Sequence, residues 1–342
     1  MSEQMAVGRP ADERPRSGRV TGALFGVAVV ATAVVLWSPV VPIGSPALAA
    51  YPGFAQLTAF RLPLAVAVAA SGLVLLPLAH VRVWGLVFVM VGLSPLPQIL
   101  PRAFGHPAEA PAGASTLTVL SINVLASGAD PAEIARLAVE RRADVVSLPE
   151  ASMAFAASVG ERAAVLGVEY QRATDNPSAT SSPFATSLLV RRELRPEFTV
   201  ARIPSHLGSV TAVAQTPAGP VRVAAVHNFP PLPGHEDSWR DDHQPLARLC
   251  GRSGPMILAG DFNSTLDHPP LRSLLDAGCA DAAATVGAGL HGTWPSVLPA
   301  FLSAPIDHVL LAGGAGPVTA FDVIMVSGPD HRGLLATIAL AR

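Results

Sequence analysis

Hydrophobic residues follow two different patterns along this chain of 342 residues. In the first hundred residues, apolar positions continue almost without interruption over 21–41, 54–79 and 83–100. An apolar run of about 20 residues is long enough to cross a bilayer as an α-helix. Beyond residue 116 the apolar residues form short stretches between polar and turn residues, which is typical of a globular domain. The pattern predicts three transmembrane helices within residues 21–100 and a domain over residues 117–342.

Polar segments flank these parts of the chain. Residues 1–20 carry four arginines and predict a disordered tail. Residues 101–116 are rich in proline, alanine and glycine and predict a linker. Arg61 lies near one end of the second apolar run, where its side chain is expected to reach the membrane interface. The alternative, a buried helical core of a soluble domain, rarely needs three such runs in sequence.

Basic residues between the apolar runs predict the orientation of the chain in the membrane. The tail holds four arginines, the segment between the first two runs holds none, and the turn before the third run holds Arg82. Since basic residues are retained on the cytoplasmic side, the tail and this turn are expected in the cytoplasm. The protein is therefore predicted to be a multi-pass protein of the cell membrane with an extracytoplasmic C-terminal domain. Ala47-Leu48-Ala49 resembles a signal-peptidase site, but cleavage there would leave the side of the domain unchanged.

Strands outnumber helices in the C-terminal domain. One helix is predicted after Asp130, which has the residue type of an N-cap and is followed by Pro131 and Glu133. The predicted strands lie at 117–124, 143–148, 187–190, 221–226, from Met256 onwards, at 309–311 and at 334–340. Many strands with few crossover helices favour stacked sheets with helices outside over one parallel sheet.

Composition and charge narrow the functional classes. Hydrophobic residues make up 50% of the chain and charged residues 14%, against about 25% charged in soluble domains. Residues 1–116 hold seven arginines and four acids, whereas residues 117–342 hold sixteen arginines and twenty-one acids, a balance of −5. An acidic domain is a poor general binder of nucleic acid, because that affinity comes mainly from basic contacts to phosphate. Cys250 and Cys279 either pair in an oxidising compartment or remain as two buried thiols.

The segment M-I-L-A-G-D-F-N at 256–263 combines a buried strand with candidate chemistry. Gly260 allows a turn or a close approach of the backbone to another group. If the strand continues, Asp261 and Asn263 leave the same face, because side chains alternate along a strand. They would then hold a water molecule or a metal ion beside a phosphate. The alternative is a strand that ends in an ordinary Asp/Asn turn.

Other predicted strands also end in polar residues, and these ends are expected to meet on one rim of the domain. The residues concerned are Asn123, Glu150, His227, Asp261, Asn263, Asp307, His308, Asp330 and His331. Such groups suit phosphoester hydrolysis. A carboxylate such as Glu150 suits Mg²⁺, and a histidine oriented by a carboxylate accepts the proton of the attacking water.

In this order, the motifs S-I-N-V, L-P-E, V-H-N, G-D-F-N, P-I-D-H and S-G-P-D-H-R resemble the endonuclease/exonuclease/phosphatase superfamily over residues 117–342. The resemblance implies an α/β (α+β) fold, a four-layer α/β/β/α sandwich, and a metal-dependent hydrolase. Two departures stand out. Pro149 precedes the acid of the second motif where the family usually has glutamine, and S-G-P-D-H replaces a tighter Ser-Asp-His.

The resemblance also implies the residues of the metal site. Glu150 would be the principal ligand of Mg²⁺, or of Mn²⁺, with Asn123 beside it. Asp330 would complete the metal end of the site. Asp261 would orient the attacking water or a metal ion.

The remaining roles concern the phosphate and the proton. The resemblance implies that His227 and Asn263 bind the scissile phosphate. His331 would be the general base, or alternatively an imidazole that contacts the phosphate, with Asp307 holding its ring. His308 is expected to be a hydrogen-bonded core histidine.

Three segments near these motifs leave alternatives open. His235 and His243, in a predicted loop that also holds Trp239, are expected to be solvated. Residues 291–295 either border the site or place a structural aromatic under a loop. Residues 297–302 (V-L-P-A-F-L) form either part of the core or a substrate-facing patch.

Three hypotheses for function follow. The first is a membrane-anchored, Mg²⁺-dependent phosphohydrolase at the outer membrane face, whose partners are the lipid bilayer and a lipid-linked phosphate or pyrophosphate, with no obligate protein partner. Three spans followed by this domain also resemble the membrane proteins associated with teicoplanin resistance, which implies a role around undecaprenyl-phosphate intermediates and in glycopeptide resistance. The second is an extracellular metal-dependent nuclease, which the acidic charge of the domain disfavours. The third is a noncatalytic binding module, which the intact site motifs disfavour.

Overall fold

The computed structural model describes residues 16–40, 47–176, 183–199 and 203–340. Most of the predicted disordered tail, residues 1–15, lies outside the described residues. Helix α1 begins at Arg16, within the predicted tail. The first hundred residues contain the helices α1 (Arg16–Trp37), α2 (Phe54–Ala59), α3 (Arg61–Leu75), α4 (Arg82–Leu93) and α5 (Leu96–Ile99), and a short 3₁₀ turn at Leu100–Ala103 follows.

Within the described residues, one helical segment is long and apolar enough to cross a membrane, Arg82–Ala103 with 22 residues, which corresponds to the third predicted span. The other two apolar helices, Thr21–Trp37 and Arg61–Leu75, are shorter. The second predicted span is broken at Phe60, so that only the 15 residues of α3, about 22 Å of helix, lie beyond the break. Three full-length spans are therefore not supported by helix length.

Small residues bring α3 and α4 into close contact. A Cβ atom at Gly72 would lie 2.6 Å from the carbonyl oxygen of Gly85, and one at Gly92 would lie 2.5 Å from the backbone nitrogen of Ala69. The two helices thus pack backbone against backbone. Large apolar side chains on the same helices point outwards, including Val74 at 72% exposure and Met90 at 69%.

The C-terminal domain contains two six-stranded sheets and the helices that cover them. Its elements in chain order are β1 (Thr116–Ser121), α6 (Pro131–Glu140), β2 (Val145–Pro149), α7 (Met153–Val165), β3 (Tyr170–Asp175), β4 (Thr186–Arg191), β5 (Glu197–Thr199), β6 (Ser209–Thr216), β7 (Gly219–His227), α8 (Glu236–Cys250), β8 (Met256–Asp261), α9 (Pro269–Asp276), β9 (Ala280–Asp281), α10 (Ala282–Thr285), β10 (Asp307–Ala312), β11 (Val318–Ile324) and β12 (Gly333–Ala339).

The strand orders are β11-β12-β1-β2-β4-β3 in one sheet and β5-β6-β7-β8-β10-β9 in the other. In each sheet one central pair is parallel, β1 with β2 and β7 with β8. One apolar cluster lies between the sheets. A second lies under α6 and α7, and a third under α8 and α9. The predicted α/β/β/α sandwich is confirmed.

A buried ion-pair cluster joins the N-terminal helices to this domain. Asp267 accepts hydrogen bonds from Arg61 at 2.6 Å and from both terminal nitrogens of Arg102 at 2.9 Å. Arg61 is 2% exposed and also donates to the carbonyl of Leu36 and to Gln98. The prediction that Arg61 reaches the membrane interface is therefore wrong. Arg61 instead pairs with a buried carboxylate that is distant in the sequence but close in the fold.

Segment 101–116 is only partly a free linker. Gly105 packs so closely against Thr285 that a side chain there would overlap the carbonyl of Thr285, and the amide of Ala108 donates to the carbonyl of Val318.

Cys250, at the end of α8, forms a disulfide with Cys279, just after α9. Of the two alternatives for the cysteines, the structure contains the paired form.

Candidate active site

The sheet register brings the predicted site residues together at one rim. His227 and Asp261 are the last residues of the parallel strands β7 and β8 and lie in register with each other. Asp307 begins the antiparallel strand β10 in register with Asp261. Glu150 directly follows β2, in the facing sheet. Both sheets therefore deliver acidic and imidazole groups to the same edge.

Glu150 is held at the site by its backbone conformation and by two donors. Its φ of 61° lies in the left-handed region, which is uncommon for a residue with a side chain and is enriched at functional sites. One carboxylate oxygen accepts from the Asn123 side chain at 3.1 Å and the other from the backbone amide of Ala126 at 2.8 Å. Asn123 also donates to Asp261 at 3.0 Å. The Asn123 amide thus bridges the two carboxylates.

Asp261 and Asn263 are placed by a turn. Strand β8 ends at Asp261, and Asn263 has a φ of 47°, so of the two alternatives for this segment the structure contains the Asp/Asn turn. The backbone amide of Asn263 donates to Asp261 at 2.8 Å, which closes an Asx turn. The Asn263 side chain nevertheless lies 3.4 Å from Asp261, so the turn itself groups them. A side chain at Gly260 would overlap the carbonyl of Val226, so this position requires glycine.

His331 is oriented by Asp307. Its Nδ1 lies 2.8 Å from Asp307 Oδ2, and its Nε2 lies 3.7 Å from Asp261 and 4.0 Å from Asp330. Burial opposes the charged imidazolium, but the carboxylates of Asp307 and Asp261 outweigh it and raise the pKa of His331. Burial and the nearby charge of Asp307 raise the pKa of Asp261. At neutral pH, His331 is therefore held as an imidazolium, and Asp261 binds a proton more readily than an ordinary carboxylate.

His227 differs from His331 in its charge. Its Nε2 lies 3.8 Å from both Glu150 and Asp261. Burial, followed by the repulsion of His331, lowers the pKa of His227 to about 3, so its imidazole is neutral at physiological pH. Within the described part of the chain its Nδ1 is buried without a hydrogen-bond partner. A neutral, incompletely paired imidazole can contact a phosphate oxygen without changing its charge.

The donor set fits a divalent cation that prefers oxygen. One ligand atom each from Asp261, Asp307 and His331 lie within 4.8 Å of one another. Because Asp307 is already bonded to the His331 ring, Glu150 is the further carboxylate that could hold a cation. Glu150 lines the cavity, and its hydrogen bonds leave lone pairs free on both oxygens. Among the described residues that line the cavity, none is an arginine that would neutralise these carboxylates.

These groups open into a cavity of about 550 Å³. Its polar lining comprises Gln56, Glu150, His227, Asp261, Asn263, His268, Asp330 and His331. Its apolar lining comprises Ala55, Ala59, Phe60, Leu125, Pro183, Phe184, Leu207, Phe229, Pro230, Pro231, Leu232, Trp294 and Ile306. Apolar residues thus outnumber polar ones, and four lining residues come from the N-terminal part of the chain.

Several residues at the site have no predicted role. Trp294 donates from its indole to Asp330 at 3.0 Å, which decides that segment 291–295 borders the site. Arg332 donates to the carbonyls of Gly292 and Ser296, and so supports the loop that carries Trp294. Asn228 has a fully buried side-chain amide without a partner among the described residues. In the sequence, Asn228 could have been found from its place in the motif V-H-N.

Two histidine predictions can be compared with the structure. His308 is buried and hydrogen-bonded to Asp281 and to the carbonyl of Ser264, which confirms a core histidine. His235 is exposed as expected. The prediction for His243 is wrong, because it lies buried on α8 with its Nδ1 2.8 Å from the carbonyl of Trp239. The spacing of Trp239, His243 and Leu246 places them on one helix face.

Segment 297–302 is a surface patch. Val297 is 85% exposed and Phe301 67% exposed. Of the two alternatives, the structure therefore excludes a core role. Phe301 lies near the start of α3, since it lines a small surface pocket together with Leu62 and Pro63.

Comparisons with known proteins agree with this geometry. Residues 120–330 match the model of the Endonuclease/Exonuclease/phosphatase family. A solved protein of that family from Leptotrichia buccalis C-1013-b shares 16% identity and a TM-score of 0.51, over 65% of this chain and 99% of its own. One from Bacteroides vulgatus shares 12% identity and a TM-score of 0.50, over 66% of this chain and 100% of its own. No curated protein matches the chain.

At these identities, the two structures establish the fold alone, and each covers only about two thirds of this chain. The family match has a stronger meaning, because it spans more than half of the chain and contains every candidate site residue except His331, which directly follows its last residue. The chain therefore belongs to the endonuclease/exonuclease/phosphatase family, whose members are metal-dependent hydrolases of phosphoester bonds.

Proposed function

We propose that this protein is a membrane-anchored, Mg²⁺-dependent phosphohydrolase that acts at the outer membrane face on a phosphate or pyrophosphate linked to a lipid chain. The cavity carries this proposal, because acidic and imidazole groups and a mostly apolar lining share one space. A phosphoryl group requires the former, and a hydrocarbon chain is stabilised by the latter. Membership of the family indicates hydrolysis of phosphoester bonds. The apolar lining of the cavity indicates a substrate that carries a hydrocarbon chain.

The residues divide the chemistry between them. Neutral His227 and the Asn263 amide bind oxygens of the scissile phosphate. The raised pKa of His331 favours an imidazolium that contacts the phosphate over a general base. Asp261, whose pKa is also raised, accepts the proton of the attacking water.

The metal site has its own residues. Mg²⁺, held by Glu150 with Asn123 and Asp330, would polarise the phosphoryl oxygen and neutralise the charge that develops there. Mn²⁺ suits the same oxygen ligands. Glu150 is kept in position by Asn123 and by the backbone amide of Ala126, so its carboxylate is preorganised.

The outward-facing apolar side chains of the N-terminal helices support membrane insertion. α3 and α4 meet through glycines while their valines and leucines face outwards. This inverted distribution is typical of helices in lipid, where small residues form the helix contacts. In water it would leave a large exposed apolar surface. We therefore propose that α1, α3 and α4 all cross the membrane, with α3 held in a locally thinner region.

The polarity of the helices supports an extracytoplasmic domain. Three points at one end of the helices contact the C-terminal domain. The segment after α1 contacts Arg272. The start of α3 and Arg102, at the end of the third apolar segment, both contact Asp267. The turn with Arg82 lies at the other end of α3 and α4. The start of α1, whose sequence holds Arg16 and Arg19, and this turn therefore lie at one end of the helices, as the positive-inside rule requires. The disulfide also suits an oxidising compartment.

Lipid pyrophosphates of cell-wall synthesis are the substrates that we consider first, because they combine a long apolar chain with a phosphoanhydride at the outer membrane face. The resemblance to membrane proteins associated with teicoplanin resistance supports this choice. Loss of the activity in cells would then change sensitivity to glycopeptide antibiotics.

The decisive experiment measures phosphate release or strand cleavage by the purified full-length protein. Undecaprenyl pyrophosphate, phosphatidic acid and plasmid DNA are each tested with Mg²⁺ and with chelator. We expect metal-dependent release from a lipid phosphate, its loss in Glu150→Gln, and its retention in Glu161→Gln, which alters an exposed acid on α7. Nicked DNA with every lipid phosphate intact would support the nuclease alternative.

A further inference from the structure

One wall of the cavity lies outside the family domain. Ala55, Gln56, Ala59 and Phe60 line the same space as Glu150, His227 and His331, although the family match begins at residue 120. These four residues belong to α2 and to the break between α2 and α3. The N-terminal part of the chain therefore contributes to the site as well as to the anchor.

Several buried contacts hold this wall in place. His268 Nε2 lies 2.8 Å from the carbonyl oxygen of Ala55, and Ala55 packs in a buried cluster with Trp239. Directly after Phe60, Arg61 is paired with Asp267. The position of α2 over the site is thus determined by contacts with the family domain and does not depend on a flexible tether.

The wall is also close to the site residues. The ring of Phe60 lies 6.4 Å from that of Trp294, centroid to centroid, and Trp294 donates to Asp330. On the other side, Gln56 donates to the carbonyl of Pro231, on the loop after β7. The apolar surface of Ala59 and Phe60 thus lies between two segments that border the catalytic groups. A group attached to the scissile phosphate would meet this surface.

The chemistry of the wall selects what it can receive. The Gln56 amide is already bonded to the carbonyl of Pro231 and to the backbone amide of Gly53, and the methyl groups and the aromatic ring of the other three residues offer no hydrogen bonds. A sugar or a nucleotide placed there would therefore lose its bonds to water without replacement. A hydrocarbon chain would gain from burial. Phe60 directly precedes α3, an apolar helix that leads away from the domain and exposes Val66, Leu73 and Val74, so apolar surface suited to the rest of a chain follows it in the sequence.

We infer that residues 55–60 form a specificity element that binds the first carbons of an apolar chain attached to the phosphate. This inference rests on the proposed function and deepens it, because it assigns chain recognition to the N-terminal segment. The catalytic groups of the family domain recognise the phosphate, and the segment before them recognises what the phosphate is attached to.

The test compares two substrates that differ only in the attached chain, a methyl ester and a farnesyl ester, each prepared as the phosphate and as the pyrophosphate, with the full-length protein in one detergent and with Mg²⁺. The measured quantity is the ratio of kcat/KM for the long substrate to that for the short one. We expect Ala59→Leu, which narrows the cavity, and Phe60→Ala, which removes the ring, to lower this ratio about tenfold. Phe60→Leu, which keeps an apolar side chain, should restore most of it.

The matched control is Ala164→Leu, which adds the same side chain at an exposed position of α7 and should leave the ratio unchanged. If Ala59→Leu does not fold, the comparison of Phe60→Ala with Phe60→Leu decides the question. An unchanged ratio in the wall variants, with both substrates cleaved by the wild type, would overturn the inference and leave the proposed function standing. If the wild type cleaves neither substrate, the proposed function fails and the inference fails with it.

Discussion

Among the described residues of the domain, two buried histidines are each bonded to an aspartate, and the surroundings of the two pairs differ. Asp307 holds His331 at the cavity, where Asp261 and Asp330 lie close to the free ring nitrogen. Asp281 holds His308 at the same distance of 2.8 Å, but the other nitrogen of His308 contacts the carbonyl of Ser264. One imidazole is therefore available to a substrate, and the other is fully used by the fold.

Replacing the aspartate of each pair tests this difference. We expect Asp307→Asn to lower kcat about 10²- to 10⁴-fold, because the His331 ring loses the carboxylate that orients it and keeps it charged. Steady-state kinetics with the best lipid phosphate measure this effect. Asp281→Asn is the matched control and should mainly lower stability, with kcat retained in the folded fraction. Equal losses of kcat in both variants would show that the fold alone is being perturbed.

At the scale of elements, one carboxylate determines how the helices meet the sandwich. Asp267 is 6% exposed and accepts from two arginines of the N-terminal region. Burial raises the pKa of Asp267, but Arg102 and Arg61 outweigh it, and the net effect is a lowered pKa. A buried charge with these partners is costly to leave unpaired, so the junction depends on all three side chains.

We expect Asp267→Asn to lower the free energy of unfolding by about 3–5 kcal/mol, because it leaves the buried guanidinium of Arg61 and the half-buried guanidinium of Arg102 without a counter-charge. Since the folded pKa of Asp267 is lowered, its stabilising effect is present above the unfolded value of about 3.9 and is lost as the pH falls through the folded value. The difference from wild type should therefore shrink in acid. Denaturant unfolding in detergent measures it, with Glu140→Gln, in an exposed pair, as the control. A constant difference down to the most acid pH would contradict this account.

The α3–α4 contact makes a second prediction at this scale. Gly92→Leu should destabilise the helix pair by about 1–3 kcal/mol or more, because a Cβ atom there already lies 2.5 Å from the Ala69 backbone. Thermal unfolding in detergent is the measurement. Gly22→Leu is the matched control, since no atom lies within 4 Å of a Cβ atom at that position of α1. Similar stability of the two variants would contradict the close packing.

In the whole molecule, the N-terminal helices contact the sandwich at the end where the cavity lies. The segment after α1, the start of α3 and the 3₁₀ turn after α5 contact the sandwich beside the catalytic cavity, whereas the turn at Arg82 lies at the opposite end of the helices. If the helices span a membrane, the cavity therefore opens next to the membrane surface on the side of the sandwich. A substrate that resides in the membrane could reach the catalytic groups without leaving the bilayer completely.

Labelling of single cysteines from outside intact cells tests this orientation. Ala164→Cys, on the sandwich, should react with a membrane-impermeant maleimide, whereas His80→Cys, in the turn before α4, should react only after lysis. Both positions are exposed in the structure, so accessibility within the protein is matched. Labelling of position 80 alone in intact cells would place the catalytic domain in the cytoplasm and remove the proposed substrate.

Local sequence patterns determined much of this protein. Central strands such as β2 and β8 are uninterrupted apolar runs, and their polar ends identified the candidate site. Edge strands such as β5 and β11 escaped prediction, because half-exposed positions obscure the alternation that reveals a strand. The turn at Asn263 could not be recognised from the strand pattern, although asparagine is a residue type that favours turns.

The sequence by itself indicated the stacked sheets and the candidate residues that meet at one rim, because both depend on local periodicity or on short motifs. Only the tertiary structure decided that Arg61 is buried against Asp267, that α2 closes the cavity and that the wall beside the phosphate site is apolar. These features arise from contacts between residues about two hundred positions apart. Local patterns record whether a residue is apolar or charged, whereas folding alone determines which distant group it meets.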